Sequence, residues 1–565
     1  MRYLISIFVL AVFCGAARPA MAQEIPLKGL VWDVPKTEKE ALAELKALHK
    51  IGVRALRTRL VWRDTLFALA DSMGMVFFQE LPFSELSVNE LRQALPYAIK
   101  TLSKNIEKSK KYRSARYFGL AQNCDTSDPA AMTYFSGLMN VIRTKGAPFT
   151  QGYYTTSFTK RDQAFPSVDF VLVKAVDRDD PALLVRQMNQ QTGGKPMGVV
   201  VGMGVSREKR EGYKVQNSPE AQARYLENKL NQLLFAPQVP LKVVFVYRWK
   251  DVPGSMFAQS ATTDHNLGYG LWGADGKPRP GYEVMKGIFT GKQTVFAFKA
   301  GTPIQQDQVW MIILGWVIIA LIVIAYILSY RLQDILPRFF MAHDSYQEYL
   351  LRSRDAHTGT NALLIVAFGL CAGLSSVIIF YALRPYAAFG YFVQELPSLP
   401  QFIVLAALRL PWSFSLLAML VFAFVMVVIA LGLYGFARYV GQQNITPQKT
   451  LMITVWAQWP MVILMLASMV TFNIWETSSM YPPLYLLVFW AVLNVLAFFQ
   501  IAYDFAYIVK KPTWTLILGG LGVFALILIV FLLFRFPEMS SEWNFLTNLV
   551  REGLERGVAA PTRSF

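Results

Sequence analysis

Short apolar runs alternate with amphipathic stretches along residues 23–300. The amphipathic segments, such as 40–49, 63–73 and 219–234, carry apolar residues at helical spacing. Eight strand-like runs between them predict a (β/α)₈ TIM barrel, whose working residues follow the C-terminal ends of the strands. Periodicity by itself leaves a doubly wound parallel sheet open. The runs lie at 29–32, 53–56, 75–78, 117–120, 149–152, 170–173, 199–201 and 243–246.

A different pattern begins at residue 309, where apolar runs of about twenty residues recur. A helix of that length crosses the hydrocarbon core of a bilayer, which is about 30 Å thick. We therefore expect an all-α membrane domain at 309–535 with about six transmembrane helices. Residues 402–405 are apolar but too few to span, and we expect them to be interfacial or re-entrant. The predicted spans are 309–329, 362–383, 412–437, 451–473, 483–508 and 513–534.

The N-terminus has the layout of a secretory signal: Arg2, an apolar run at 4–14, and the small-residue sequence AMA at 20–22. We expect residues 1–22 to be removed and a domain at 23–305 to face the periplasm or cell exterior. The chain would then be a multi-pass protein of a bacterial inner membrane. The tail at 536–565 has apolar residues at helical spacing and predicts an amphipathic helix on the membrane or on the barrel.

Basic residues between the predicted spans support this orientation, because loops on the cytoplasmic side are enriched in lysine and arginine. The predicted outer loops hold only Arg384 and Arg409. The predicted cytoplasmic connections hold Arg331, Arg338, Arg352, Arg354, Arg438, Lys449, Lys510 and Lys511.

Composition narrows the class further. A mean hydropathy of +0.33 is too high for a wholly soluble chain. The net charge of +17 does not predict nucleic-acid binding, because no basic stripe interleaved with aromatic residues accompanies it. Once Cys14 leaves with the signal, Cys124 and Cys371 fall in different domains, so no disulfide within a domain is possible. We expect no metal and no cofactor.

Residues 52–58 (GVRALRT) and 66–82 (LFALADSMGMVFFQELP), in the exported part, resemble the early strands of the β-galactosidase and β-glucuronidase type of glycoside hydrolases, family 2. The later segments that carry the resemblance, in the family's order, are 212–213 (GY), 218–226 (SPEAQARYL), 247–251 (YRWKD), 269–271 (YGL) and 275–283 (DGKPRPGYE). The resemblance covers nearly the whole exported domain and none of the membrane half.

The catalytic residues of that family do not carry over. Its fourth strand ends in Asn-Glu, where the glutamate is the acid/base, and here Cys124 follows Asn123. Its seventh strand ends in Glu-x-Gly, where the glutamate is the nucleophile, and here Gly202 takes that place. A retaining glycosidase holds two carboxyls about 5 Å apart, so the loss of both predicts a pseudoenzyme. Relocated acids are the alternative, with Asp125 and Glu80 as the candidates.

Sugar binding can survive the loss of the acids, because glycans are held by aromatic faces and polar groups. We therefore expect the mouth of the barrel to bind a glycan or polysaccharide. The candidate ligand-binding residues at or near strand ends are Trp32, Arg57, Gln79, Glu80, Asn123, Tyr153, Tyr154, Lys174, Tyr247 and Trp249.

The leading interpretation is a membrane-anchored, catalytically degenerate barrel that binds a glycan or a protein of the cell envelope. The lipid bilayer is its other expected partner, and nucleic acid is excluded. One alternative is an active glycosidase that uses relocated acids. Another is a transporter or polysaccharide-export component in which the barrel captures substrate and Asp504, inside a predicted span, lies on the pathway.

Overall fold

The computed structural model describes residues 25–157, 162–206, 210–235, 237, 239–251, 267–302, 309–352, 358–384, 386–409, 411–440, 442, 444–474, 481–510, 512 and 540–559. These residues form two compact units, a barrel unit before residue 305 and a helical unit after it. The predicted signal at 1–22 and the predicted sixth span at 513–534 lie outside the described residues.

The barrel unit contains a closed ring of eight parallel strands, so the predicted (β/α)₈ barrel is confirmed and the doubly wound sheet is excluded. The ring closes where β1 pairs with β8, with Leu27 opposite Val243 and Leu30 opposite Val246. Each predicted run overlaps one strand. The strands are β1 (Leu27–Val31), β2 (Ala55–Arg59), β3 (Val76–Glu80), β4 (Tyr117–Gln122), β5 (Gln151–Thr156), β6 (Phe170–Val176), β7 (Met197–Gly202) and β8 (Leu241–Val246).

Helices follow the strands and cover the outside of the ring. The longest, α3, begins at a capping box in which Ser87 and Glu90 satisfy each other's backbone N–H groups. In chain order the helices are α1 (Glu38–Lys50), α2 (Asp64–Ser72), α3 (Val88–Ser109), α4 (Ala131–Lys145), α5 (Pro181–Gln191), α6 (Pro219–Phe235) and α7 (Pro280–Thr290). A short antiparallel pair, Val205–Ser206 with Leu267–Gly268, lies beside the ends of β7 and β8.

Two separate cores hold the barrel unit together, because alternate residues of each strand face opposite sides. The outer core fills the layer between strands and helices. The inner core fills the barrel and is rich in aromatic rings: Phe78 stacks on Tyr117 at 4.2 Å, and Tyr153 stacks on Phe170 at 4.9 Å. The barrel interior is therefore solid, and a ligand can be met only at its ends.

Among the described residues of the helical unit, five helices are long and apolar enough to cross a membrane, which is typical of a membrane protein. Its core forms where α11 packs on α14 and α16, α14 packs on α15, and α16 packs on α17. The helices are α8 (Val309–Leu328), α9 (Tyr330–Met341), α10 (His343–Arg352), α11 (Thr358–Leu383), α12 (Ala387–Gln394), α13 (Ser398–Arg409), α14 (Pro411–Tyr439), α15 (Pro447–Trp456), α16 (Pro460–Ile474), α17 (Tyr481–Val509) and α18 (Ser540–Ala559).

Three local features refine the predicted helices. The run at 402–405 lies in α13, whose 12 residues rise about 18 Å and are too short to span. The fourth span is interrupted between α15 and α16, because Pro460 has no N–H to continue the helix. The tail forms α18, which buries Phe545 against Tyr391 of α12 within the helical unit, with ring centroids 4.8 Å apart.

Candidate functional site

A buried ion pair lies inside the barrel near the C-terminal ends of its strands. Arg57 on β2 binds Glu80 on β3 in a bidentate fashion, with Nε–Oε1 at 2.7 Å and Nη2–Oε2 at 2.9 Å. Both side chains are almost fully buried, at 1% and 3% exposure. A guanidinium fork matches a carboxylate in this geometry, which is the strongest form of such a pair.

The other polar side chains of this layer complete the pair's hydrogen bonding. Arg57 Nη2 donates to Gln122 Oε1 at 3.2 Å and to Thr155 Oγ1 at 3.0 Å. Glu80 Oε1 accepts from the Thr155 hydroxyl at 3.0 Å and from the Tyr153 hydroxyl at 3.2 Å. Since Glu80 is held by three side chains, it is engaged as a structural carboxylate and is poorly placed to transfer a proton to a ligand.

Cys124, at the acid/base position of the resembled family, faces away from the barrel mouth. Asn123 before it has a φ of 49°, and the chain turns so that the thiol enters the outer core. Its Sγ accepts from the Leu86 N–H at 3.4 Å. Burial raises the pKa of the Cys124 thiol to about 12, so it is neither a proton donor nor a thiolate at neutral pH.

Gly202, at the nucleophile position, has no space for a side chain. A Cβ built on Gly202 would lie 2.6 Å from the backbone oxygen of Tyr247 and 3.0 Å from its Cβ. The end of β8 therefore occupies the volume that a catalytic carboxylate at position 202 would need. Any side chain at position 202 would therefore require the chain at Tyr247 to shift.

Asp125, one of the proposed relocated acids, is tied into its own loop. Its Oδ1 accepts from the N–H of Ser127 at 3.1 Å and from the Ser127 hydroxyl at 2.6 Å. This turn is a common local role of aspartate. Burial raises the pKa of Asp125. Both Asp125 and Glu80 thus have structural partners. Neither carboxyl is therefore placed to act as the relocated acid of an active glycosidase.

The predicted ligand-binding residues divide between the two faces of the strands. The structure places Arg57, Glu80, Tyr153, Lys174 and Tyr247 on the inner face, near the mouth.

The remaining candidates face the outer core, apart from Asn123, which bonds from its N–H to the Thr155 oxygen at 2.7 Å. Trp32 Nε1 donates to Glu44 at 2.8 Å, and Gln79 Oε1 accepts from the Val61 N–H at 3.0 Å. The Tyr154 hydroxyl donates to Asp162. Trp249 packs on Trp272 and Tyr282. Strand alternation, one residue in and the next out, accounts for this separation.

Lys174 is the inner-face residue whose position is most suited to meet a ligand. It lies on β6 two residues beyond the inward Leu172 and is only partly buried. No hydrogen bond or ion pair engages its ammonium among the residues that the structure describes. Burial lowers the pKa of Lys174, and the nearby Glu85 opposes that effect. An anionic or hydroxyl-rich ligand would satisfy this cation.

Charged residues that directly follow the strands form the rest of the rim, and sequence reasoning passed over two of them. Arg248, after β8, lies 3.9 Å from Asp33 and 3.6 Å from Asp251. Asp177, after β6, accepts from the Gly204 N–H at 2.9 Å and from the Tyr269 hydroxyl at 2.6 Å. The signal that finds them is a charge immediately after an apolar strand.

Comparisons with known proteins give structural likeness alone. No protein-family model matches the chain, and no curated protein matches it in sequence. A family 2 glycoside hydrolase, the β-galacturonidase from Eisenbergiella tayi bound to galacturonate, matches with a TM-score of 0.42 and 18% identity over 48% of this chain and 53% of that one. The chain spans about half the length of such proteins.

Two β-glucuronidases match in the same way. The protein from Ruminococcus gnavus in complex with D-glucaro 1,5-lactone has a TM-score of 0.40 and 15% identity, over 47% of this chain and 49% of that one. The one from an uncultured Clostridium sp. has a TM-score of 0.41 and 15% identity, over 47% and 50%. The barrel assignment itself rests on the closed ladder of eight strands.

Replacing Glu80 by Gln should destabilise the barrel by about 3–5 kcal/mol, because it leaves the Arg57 cation buried without its counter-charge. Glu283→Gln is the matched control, since Glu283 pairs with Lys286 on the exposed surface of α7, where solvent screens such a pair and it contributes little to stability. Urea unfolding of the full-length protein in detergent, followed by near-UV circular dichroism, measures both. Equal effects of the two substitutions would contradict the structural role of the pair.

Gly202→Ala should cost about 1–3 kcal/mol of stability, because the new methyl group meets the Tyr247 backbone. Gly137→Ala is the control: its Cβ would lie 3.4 Å from Leu95 in ordinary contact, and alanine favours the α4 helix by up to about 1 kcal/mol. The same unfolding measurement compares them. Wild-type stability of Gly202→Ala would show that the mouth can open to accept a side chain.

Cys124 should resist thiol reagents in the folded protein and react after denaturation, because its thiol is buried and protonated at neutral pH. Mass spectrometry after iodoacetamide treatment of native and urea-unfolded full-length protein measures the modification at this residue. Stoichiometric labelling of Cys124 within minutes under native conditions would place the thiol at an accessible site and revive it as a candidate nucleophile.

Proposed function

We propose that the barrel unit binds a glycan without hydrolysing it. One observation carries the proposal: the backbone of Tyr247 fills the space that a nucleophile at position 202 would require. Cys124 supports it, since its thiol lies in the outer core. The geometry therefore favours recognition over turnover at the mouth of a glycoside hydrolase-like barrel.

Charged groups rather than an aromatic platform are the basis of the proposed recognition. Trp32, Tyr153 and Tyr154 are buried and engaged in packing, so they offer no face to a sugar ring. At the mouth, the Lys174 ammonium supplies donors. Carboxylates and sugar hydroxyls are acceptors for such groups, and we therefore propose an acidic glycan as the preferred ligand.

The helical unit is proposed to hold this barrel at a bacterial inner membrane, with the barrel on the outer side. Support comes from the five helices of sufficient length and apolarity, from the signal-like N-terminus and from the basic residues of the predicted cytoplasmic connections. A protein of the cell envelope is a second proposed partner. These assignments are tested by protease protection and reporter fusions at both ends of the chain.

The full-length protein in nanodiscs should bind acidic oligosaccharides on a glycan array and release no aglycone from chromogenic glycosides. Lys174→Met should weaken binding about tenfold to a hundredfold, the effect of losing a hydrogen bond to a charged group. Lys46→Met, at an exposed position of α1, is the control and should bind like the wild type. Aglycone release that is lost in Asp125→Asn would overturn the proposal in favour of an active glycosidase.

A further inference from the structure

A polar cluster lies inside the helical unit, where α10 meets α17. Its centre is Asp504 on α17, whose side chain is fully buried. Asp504 Oδ1 lies 2.6 Å from His343 Nε2 and accepts from Gln347 Nε2 at 3.0 Å. Gln500 Nε2 donates to Asp504 Oδ2 at 3.0 Å and also lies 3.0 Å from His343 Nε2. The carboxyl is therefore surrounded by the three side chains, and an acid within a helix long enough to span a membrane is a functional hypothesis by default.

The contact between His343 and Asp504 requires a proton. His343 Nδ1 lies 3.0 Å from the backbone oxygen of Phe339, which can only accept, so the ring carries a hydrogen on Nδ1. A neutral ring with that tautomer has a bare lone pair on Nε2. Two bare lone pairs, one on Nε2 and one on a carboxylate oxygen, repel at 2.6 Å. A second proton between the two atoms removes the repulsion and leaves the pair with no net charge.

Other charged groups near the pair do not replace this proton. On α10 the neighbours are Asp344 and Tyr346, and on α17 the neighbour is Tyr503, whose ring stacks on His343 at 5.9 Å.

Two cations of the adjoining helices are engaged elsewhere. Arg338 on α9 binds Asp334 at 2.6 Å, and Lys449 on α15 donates to the Leu351 oxygen at 3.1 Å. Loss of the shared proton would thus leave a buried negative charge held by amide groups alone, which is costly in an apolar surrounding.

The two members of the pair differ in access. The His343 side chain is 27% exposed, whereas that of Asp504 is 1% exposed. His343 is therefore the more accessible member of the pair, and a single hydrogen bond joins its Nε2 to the buried carboxyl. The hydrogen bond to Asp504 also raises the pKa of His343.

The cluster adjoins the interruption between α15 and α16. Tyr346 packs on His343, with centroids 5.4 Å apart, and on Trp456 at the end of α15, at 6.0 Å. The Tyr346 hydroxyl and the Trp456 Nε1 are buried and have no hydrogen-bond partner among the described residues. Interrupted membrane helices with unpartnered polar groups are typical of ion and substrate sites rather than of simple anchors.

We propose that His343 and Asp504 form a proton-binding site of the helical unit, which exchanges its proton with the surroundings through His343. Uptake adds one proton to the His343 lone pair on Nε2, shares it with Asp504 Oδ1 and converts a pair of charge −1 into a neutral one. The His343–Asp504 contact between α10 and α17 depends on that proton, whereas the hydrogen bond from Gln347 to Asp504 does not. This site is independent of any glycan bound by the barrel.

The test is nitrogen-15 NMR of the imidazoles in full-length protein with labelled histidine, in nanodiscs, over a pH series. The chain has four histidines, and His343→Gln assigns the signal. His343 should remain an imidazolium above the ordinary histidine value of about 6.5. In Asp504→Asn its midpoint should fall toward that value, because the carboxylate that favours the imidazolium is removed. Asn494→Ala, on the exposed side of α17, should titrate like the wild type.

Titration of His343 at or below the ordinary value in the wild type would overturn the proposal, as would an unchanged midpoint in Asp504→Asn. Thermal unfolding against pH gives a second readout should that variant fail to fold. A raised pKa in the folded state stabilises at low pH, and the stabilisation is lost as pH rises through the raised value. The wild-type melting temperature should therefore fall above about pH 6.5, and His343→Gln should lack that fall. Parallel curves would sink the assignment.

Discussion

The buried ion pair between Arg57 and Glu80 is the constraint on which the C-terminal end of the barrel depends. Two opposite charges inside a solid aromatic interior must satisfy each other, and every polar side chain of that layer bonds to one of them. Gln122, Tyr153 and Thr155 already hydrogen-bond to the pair, so these side chains are not available to a ligand. The residues left to face the mouth are those on the other side of the ring, Lys174 on β6 and the charges that follow β6 and β8.

The close approach of Tyr247 to Gly202 and the hydrogen bonds that hold Glu80 both reduce what the mouth of the barrel can offer to a ligand. In a glycosidase the two carboxyls need space between them for a sugar, and here the end of β8 approaches the end of β7 until no side chain fits. A barrel without that requirement can pack its mouth more tightly. The glycine at position 202 is thus explained by packing.

The sequence predicts where the strands lie but not which residues of each strand point into the barrel, for a physical reason. Barrel strands are buried on both sides, so their residues form continuous apolar runs in place of a clear alternation. In β3 the inward Phe78 and Glu80 and the outward Phe77 and Gln79 make the same pattern, and nothing local says which pair is inside.

Contacts between residues far apart in the sequence could not be predicted for another reason. The turn at Asn123 sends the next residue into the outer core, and the pairing of His343 with Asp504 joins residues 161 positions apart. The sequence marked Asp504 as unusual. It could not name the partner, since that depends on how α10 packs against α17.

Each unit contains a single free cysteine among its described residues, and both thiols are buried. With one described thiol in each unit, no disulfide can form within a unit between described residues. Burial keeps each thiol from reacting with a thiol of another protein. The described residues of each unit are therefore held by packing and hydrogen bonds, with no disulfide among them.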